Sequence, residues 1–251
     1  MTFVVIDNSS YQESVAAALD AIGALEILAK QSAILIKPNL INASPHPVTT
    51  PVECCEALVK YILSCSKAEI VIAEGCGDPS LETDEVFDIL GYRELSKQYG
   101  VPLIDLNESP LKKLKNDNCP VFPEIYLPEI AFTHFVISVP VLKAHSFAVI
   151  TGTLKNMIGI APPEYYSGRF GTWNKAVFHR DMHQSIIDLN TYRTPDLSLM
   201  DATLGLADFH LGGRQCSPPP GKIIAGFDPI EVDREAARLL GLNWKEIPHL
   251  L

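Results

Sequence analysis

Short apolar runs alternate along the chain with segments whose apolar residues recur at helical spacing, and this alternation constrains the fold most. Residues 32–36, 70–73, 134–139, 197–200 and 223–227 are nearly continuous runs of Val, Ile, Leu and other apolar residues. Such runs are typical of strands buried on both faces of a sheet. Strands that alternate with helices predict an α/β fold, here a mostly parallel, doubly wound sheet with helices on both faces and long loops at the carboxyl edge.

The helical segments carry recognisable start signals. Ser10 and Glu13 have capping-box spacing and predict a helix to about residue 30, and Thr50-Pro51-Val-Glu53 predicts a second helix to about residue 65. Residues 84–98 are expected to be helical, with a break near Gly91.

The middle of the chain is less regular. Residues 107–123 are predicted to form a loop and residues 125–132 an edge strand, because Pro128 disfavours a central position. A short helix is expected near residues 147–157.

The predicted organisation is a single α/β domain spanning residues 1–251, since this length fits one large domain and no internal repeat is present. A loop insertion is expected at about residues 159–178. It carries Tyr165, Tyr166, Phe170 and Trp173, which suit either a lid over a charged site or a contact surface for a partner. The sequence leaves both alternatives open.

Bulk composition excludes several classes of function. The net charge of −10, without any Lys/Arg-rich run, argues against nucleic-acid binding. No window is long and apolar enough for a membrane span, and residues 1–7 lack the features of a signal peptide. We therefore expect no membrane association, a cytoplasmic location, and six reduced cysteines.

Polar residues follow several of the predicted strands at their carboxyl ends, where open parallel sheets bind ligands. They are Lys37 and Asn39, Glu74, Lys143 and His145, Asp201, and Asp228. A single charged residue at a strand end is commonly solvated or caps a helix, and Asp228 before Pro229 has the pattern of an N-cap. Lysine does not cap helix N-termini, so Lys37 and Lys143 are the stronger candidates.

Lys155, which is followed by Asn156, adds a further basic residue. Residues 151–156 read as a glycine-containing turn that enters a helix, where free N–H groups and the helix dipole favour an anion. The spacing of a P-loop is absent, and so is a Gly-x-Gly-x-x-Gly fingerprint after the first strand. The sequence therefore indicates a small anionic ligand rather than a nucleotide bound in a standard way.

Metal ligation rests on weaker signals. His179 and His183 are four residues apart, which would place them on one helical face, although the glutamate of the metalloprotease motif is missing. Cys76, between two glycines, is either a nucleophile or a small residue in a tight turn. The chain has no Cys-x-x-Cys, and adjacent Cys54 and Cys55 would diverge on a helix, so an iron–sulfur cluster within one chain is not expected.

The residues at the strand ends also form an ordered set of landmarks. They are residues 36–40 (Ile-Lys-Pro-Asn-Leu), 49–51 (Thr-Thr-Pro), 73–75 (Ala-Glu-Gly), 138–145 (Ser-Val-Pro-Val-Leu-Lys-Ala-His), 154–156 (Leu-Lys-Asn), 201–202 (Asp-Ala) and 226–233 (Gly-Phe-Asp-Pro-Ile-Glu-Val-Asp). In this order they resemble the family known as domain of unknown function 362, over nearly the whole chain. The resemblance implies a shared site without a named reaction. Many relatives also carry ferredoxin-type cysteine clusters, a pattern from which this sequence departs.

Two hypotheses follow from these residues. The first is an enzyme acting on a small anionic substrate, phosphate or carboxylate, with an unidentified cofactor that could include a divalent cation. Its candidate catalytic residues are Lys143, His145, Glu74 and Lys37, and its candidate ligand-binding residues are Asn39, Thr50, Lys155, Asn156, Asp201 and Asp228. His145 would shuttle protons or, alternatively, only hydrogen-bond a loop carbonyl.

The second hypothesis is a non-catalytic accessory protein. It would dock on a cluster-bearing redox partner, or on another copy of the chain, through residues 159–178. The mixture of lysines and carboxylates at one sheet edge favours the first hypothesis.

Overall fold

The computed structural model describes residues 3–168 and 172–251. The strands are β1 (Phe3–Asp7), β2 (Ala33–Pro38), β3 (Glu69–Glu74), β4 (Leu103–Asp105), β5 (Leu111–Lys115), β6 (Glu124–Pro128), β7 (Phe135–Val139), β8 (Val141–His145), β9 (Val149–Thr151), β10 (Leu197–Leu206) and β11 (Lys222–Gly226). The helices are α1 (Tyr11–Ala21), α2 (Ala24–Leu28), α3 (Val52–Cys65), α4 (Thr83–Ile89), α5 (Tyr92–Tyr99), α6 (Ile130–Thr133), α7 (Thr153–Asn156), α8 (Pro163–Tyr166), α9 (Met182–Tyr192) and α10 (Pro229–Leu239). Short 3-10 turns occupy Met157–Ile160, Ala176–Arg180, Trp244–Glu246 and Pro248–Leu250.

The main sheet is mixed. Over the described residues its central order is β1-β11-β10-β7-β2-β3-β4, with β8 beside β10 and β9 beside β8. The strands from β4 to β10 in this order run parallel, whereas β11 is antiparallel to both β10 and β1. The α/β class is confirmed, but the prediction of a mostly parallel sheet did not include this antiparallel edge. Residues 207–221 form no crossover helix between β10 and β11, so the chain returns in the opposite direction.

Helices cover both faces of the sheet because successive strand residues point to opposite sides. In β2, Ile34 and Ile36 join the apolar cluster that contains α1 and α3, whereas Leu35 joins the cluster that contains α9 and α10. Lys37 is the next residue of β2; it continues the pairing with β7, opposite Ser138, near the carboxyl end of the strand. The packing of the sheet therefore fixes the strand that presents this lysine.

The short helix predicted near residues 147–157 is confirmed only for the last part of that range. Val149, Ile150 and Thr151 form β9, which pairs antiparallel with β8, and only residues from Thr153 onward are helical. Three consecutive β-branched residues favour a strand over a helix. The β8–β9 hairpin brings Lys143 opposite Thr151 and leads directly into α7.

Residues 107–123 are also more ordered than predicted. Leu111–Lys115 forms β5, which pairs antiparallel with β6 in a separate two-stranded sheet. The strand was missed because three of its five residues are lysines, a composition that gives little strand signal. The predicted edge strand at residues 125–132 is shorter than expected and gives way to α6.

Glycine positions account for two breaks in the helical layer. Gly23, with φ +72°, separates α1 from α2, so the single helix predicted for residues 10–30 is divided. Gly91, with φ +83°, separates α4 from α5, and this break is the one that the sequence predicts. In the part of the chain that the structure describes, none of the helices has the length and apolar character that crossing a membrane requires.

Candidate functional site

A pocket lies where β2, β3 and β8 end, closed on its other sides by α7 and by residues from the 159–178 and 207–211 segments. Its empty space is about 770 Å³ when the solvent-filled mouth is included. Among the described residues that line it, the ionisable ones are Lys37, Lys143, Lys155, Lys175, His145, His179, His210 and Glu74. Amines and imidazoles thus outnumber carboxylates at this edge of the sheet.

Lys37 and Glu74 form a buried ion pair. Nζ of Lys37 lies 2.9 Å from Oε1 and donates to Oε2 at 3.0 Å. The backbone N–H groups of Leu40 and Gly75 also donate to this carboxylate, at 3.0 and 2.9 Å. Burial lowers the pKa of Lys37, and the charge of Glu74 opposes that effect. With its oxygens occupied, Glu74 is arranged to hold Lys37 rather than to accept a substrate proton.

Two asparagines join Lys37 to Lys143 through neutral atoms. Oδ1 of Asn156 accepts from Nζ of Lys37 at 3.2 Å and from Nδ2 of Asn39 at 3.1 Å. Oδ1 of Asn39 accepts from Nζ of Lys143 at 2.7 Å. The amide side chains thereby fix the positions of the amines without neutralising them.

Among the described residues, the hydrogen-bond acceptors of Lys143 are all uncharged. Besides Asn39, its Nζ donates to the carbonyl of Val48 at 2.6 Å, and its side chain is 1% exposed. Burial, followed by the charge of Lys155, places the pKa of Lys143 well below its usual value. The cost of burying this ammonium group is therefore not offset by a carboxylate.

Lys155 differs from the other lysines of the pocket. It is partly exposed, whereas Lys37, Lys143 and Lys175 are buried. Within residues 3–168 and 172–251, its Nζ makes no hydrogen bond or ion pair, although it lines the pocket. Burial by the pocket walls and the neighbouring charge of Lys37 lower the pKa of Lys155 to about 8.

Lys175 was missed by the sequence reasoning. Its Nζ donates to Oδ1 of Asn107 at 2.8 Å, to the carbonyl of Gly159 at 3.0 Å and to the carbonyl of Ala161. Burial lowers the pKa of Lys175 to about 7, although the charge of Glu74 opposes the shift. The only available signal was a lysine inside the Gly-, Pro- and aromatic-rich stretch at residues 159–178, because Lys175 follows no strand.

His145 makes hydrogen bonds of a different kind from those expected. Its Nδ1 accepts from the backbone N–H groups of Phe147 and Ala148, both at 3.1 Å, instead of donating to a loop carbonyl. Its ring stacks on His210 with the centroids 3.8 Å apart. Burial and the charge of Lys155 hold the pKa of His145 far below its usual range. The ring is therefore neutral, with its proton on Nε2.

Three predicted ligand-binding residues do not line this pocket. Thr50 accepts from N of Asn39 at 2.9 Å, so it supports a pocket residue from behind. Asp201 accepts from the hydroxyl of Tyr11 at 2.8 Å, and its Oδ2 lies 3.0 Å from Nε2 of His46. Asp228 is the N-cap of α10, the alternative that the sequence had already offered.

The N-terminus of α7 is filled by a carboxylate of the chain itself. Oδ1 and Oδ2 of Asp233 accept from N of Thr153 at 2.6 Å and from N of Leu154 at 3.0 Å. The free N–H groups that the sequence suggested for an external anion are thus occupied. Burial raises the pKa of Asp233 to about 7, opposed by these hydrogen bonds.

On one side of the pocket, the backbone at Gly159 and at Gly75 lies very close to neighbouring side chains. A Cβ atom at Gly159 would overlap Oε1 of Glu74 and Nζ of Lys37, and one at Gly75 would overlap Oδ1 of Asn107. Only glycine allows the 159–178 segment to lie this close to the ion pair.

The aromatic residues of the 159–178 segment have different environments. Trp173 lines the pocket, Tyr166 is buried and accepts from N of Tyr126 at 2.7 Å, and Tyr165 is exposed and stacks on Tyr126. Phe170 lies outside the described residues. Among the described aromatic residues of the segment, Trp173 and Phe178 are the two that line the pocket.

The geometry of the described residues gives little support to the predicted metal ligands or to a reactive cysteine. His179 belongs to a 3-10 turn and His183 to α9, with the N-cap Asp181 between them, so they do not share a continuous helical face as predicted. Over the described ranges, no cluster of three or more His, Cys, Asp or Glu side chains is arranged to hold a metal ion. The thiol of Cys76 donates to the carbonyl of Ile41, and burial raises its pKa to about 12, which favours the tight-turn interpretation.

The comparison with known families agrees with the landmarks of the sequence. The family model described as Domain of unknown function (DUF362) matches residues 34–238, a span that contains the ionisable residues lining the pocket. No curated protein matches the chain. Because the match extends over well more than half of the 251 residues, the chain belongs to the DUF362 family.

Proposed function

We propose that this protein is an enzyme that binds a small anionic substrate, bearing phosphate or carboxylate groups, in the lysine-lined pocket. The observation that carries the proposal is the convergence of four lysine side chains on one pocket whose described lining contains a single carboxylate, Glu74. Since Glu74 is paired with Lys37, the other three amines have no carboxylate partner of their own in the described lining.

The electrostatic cost of this arrangement supports an anionic ligand. Moving an unpaired ammonium group out of water is unfavourable, and proteins respond by lowering its pKa or by pairing it. Here the pKa values of Lys143, Lys155 and Lys175 are all lowered, chiefly by burial. A bound phosphate or carboxylate would compensate these groups and favour their protonated forms.

The neutral hydrogen-bonding network supports the same function. Asn39, Asn156 and several backbone carbonyls hold the amines of Lys37, Lys143 and Lys175 in place before any ligand arrives. Groups fixed in this way lose little conformational freedom on binding and need little reorganisation during a reaction. A divalent cation is less well supported, because Asp201 and Asp228 lie outside the pocket.

The accessory hypothesis receives less support from the geometry. Of the aromatic residues in the 159–178 segment, Trp173 lines the pocket and Tyr166 is buried, which leaves Tyr165 as the exposed ring among the described ones. The segment therefore offers more to a pocket than to a docked partner.

Ligand-dependent melting tests the proposal. Inorganic phosphate, pyruvate and citrate should each be titrated against the wild-type protein and against Lys143→Met, with exposed Lys67→Met as the matched control. A ligand present at about 100 times its Kd stabilises by about 2.7 kcal/mol, or roughly 5–10 °C in Tm for a chain of this size. We expect such a shift in the wild type and in Lys67→Met, and its loss in Lys143→Met. Unchanged melting of the wild type across all three anions would overturn the proposal.

A further inference from the structure

Lys155 is the amine of the pocket that nothing in the described structure holds. Lys37 is fixed by Glu74, Lys143 by two neutral oxygens and Lys175 by three. Nζ of Lys155 makes no such contact with the described residues, and the residue, which is partly exposed, lines the pocket. An amine with a free lone pair can attack an electrophile, whereas one committed to several acceptors cannot do so without breaking its hydrogen bonds.

We propose that Lys155 is a nucleophile that forms a Schiff base with the carbonyl carbon of an anionic aldehyde or ketone bound among the other three lysines. The inference rests on the anion binding proposed above and deepens it. The substrate class that it names is small carbonyl compounds with a carboxylate or phosphate group, such as 2-oxo acids.

The charged surroundings of Lys155 favour the neutral amine that this reaction needs. The ionisable groups near it on the packed elements are Lys37 on β2, Lys143 and His145 on β8, His210 on the 207–211 segment and His249 near the C-terminus. These neighbours are cationic or neutral. The carboxylates of the pocket and of α10, Glu74 and Asp233, are hydrogen-bonded to Lys37 and to the N–H groups of Thr153 and Leu154. A lysine in a desolvated pocket beside another cationic group is a recognised form of activated amine.

The reaction balances without any further reagent. The lone pair of Nζ attacks the carbonyl carbon, and the carbonyl oxygen takes a proton to give a carbinolamine. The carbinolamine then loses its hydroxyl group, which takes a second proton and leaves as water. The nitrogen gives up the two protons of its NH₂ group and the product is an imine, which can be protonated on nitrogen. Ile158, Phe178 and Met182 add apolar surface to the lining of the pocket, and apolar surface disfavours the water that would reverse the last step.

Reductive trapping on the whole 251-residue chain tests the inference. The protein is incubated with glyoxylate or pyruvate and sodium cyanoborohydride, and the adduct is located by peptide mass spectrometry. We expect one reduced adduct on Lys155, suppressed by inorganic phosphate. Lys155→Arg, which keeps the charge but removes the nucleophile, should lose this adduct, while Lys67→Arg should keep it.

Two results would refute this inference, and the first of them would leave the proposed function standing. If phosphate stabilises the wild-type protein but no adduct forms on Lys155, the Schiff base is refuted and anion binding stands. If the label is spread over surface lysines and is the same in Lys155→Arg, the Schiff base is refuted as well. Mapping the adduct in the wild type does not depend on how well the variants fold, and phosphate-dependent melting of Lys155→Arg reports whether its pocket is intact.

Discussion

Nζ of Lys143 lies 2.7 Å from Oδ1 of Asn39, so a fully buried ammonium group meets a neutral amide where a carboxylate would normally be expected. The amide positions the amine and leaves its charge available. This arrangement supports the ligand-binding role proposed for Lys143, and the isosteric change Asn39→Asp tests it.

Asn39→Asp should weaken anion binding. The new carboxylate would pair with Lys143 and replace the ligand as its counter-charge, although it would lose the bond from Nδ2 of Asn39 to Asn156. We expect the affinity for inorganic phosphate to fall by about tenfold or more, since a buried charge pair outweighs one neutral hydrogen bond. Isothermal titration calorimetry measures the change, and exposed Asn118→Asp is the control for net charge. Equal affinity in the two variants would show that Lys143 takes no part in binding.

The free energy of unfolding should rise with pH in the ligand-free protein. The pKa values of Lys175 and Lys155, about 7 and about 8, lie below the ordinary value of 10.5 that applies in the unfolded chain. The folded state therefore binds fewer protons in this range, and stability grows as pH increases from about 7 to 8.5, by about 2 kcal/mol. Urea unfolding at several pH values measures this slope. Lys175→Met should reduce the slope, and a slope that is flat or negative in the wild type would contradict the expectation.

Anion binding should be accompanied by proton uptake near neutral pH. A bound phosphate stabilises the ammonium forms of Lys155 and Lys175, so their pKa values rise and the protein takes up protons. Affinity should accordingly decrease as pH rises through about 8. Calorimetric titrations in buffers of different ionisation enthalpy count the protons. Binding without any dependence on the buffer would indicate that both amines are already charged.

Gly159→Ala should destabilise the pocket wall. The added Cβ would overlap both members of the Lys37–Glu74 pair, and neither can retreat because both are buried. We expect a cost of about 1–3 kcal/mol, typical of overpacking, together with weaker anion binding. Gly212→Ala is the comparison: its φ of +100° causes backbone strain, but its Cβ would meet open space. Stability would be measured by urea unfolding, and a loss no greater than that of Gly212→Ala would remove the steric argument.

Labelling of Lys155 should follow a distinctive pH profile. The neutral amine is the reactive form, so the rate of imine formation should rise with pH and level off above about 8, the pKa of Lys155. Quantitative peptide mapping of Lys155 at a series of pH values measures this profile. A rate at Lys155 that keeps rising well beyond pH 8, as the reference pKa of about 10.4 for a lysine side chain would give, would contradict an activated amine.

The sequence predicted most of the sheet and less of the site. Strands such as β2 and β3 were recognisable because burial on both faces leaves a continuous apolar signal. Lys37 and Glu74 were predicted as site residues because they lie at the carboxyl ends of these strands. The β8–β9 hairpin was missed, because a short strand beside a functional site carries polar residues such as Lys143 and His145 that mask its pattern.

Residues brought in by loops could not be predicted from spacing. Lys175 and His210 reach the pocket from irregular segments, and their placement depends on contacts with Asn107 and His145 that are distant in sequence. The interpretation of the α7 N-terminus failed for the same reason. Its anion is Asp233, on α10, which no local pattern connects to Thr153.

The bond between Asp233 and Thr153 spans 80 residues of sequence. Through this bond, α10 fixes the start of α7 and hence the position of Lys155, the proposed nucleophile. A truncation from the C-terminal side that removes α10 would therefore disrupt the pocket, although it would retain every described residue that lines it. Any attempt to transplant this pocket onto another scaffold must carry that distant carboxylate with it.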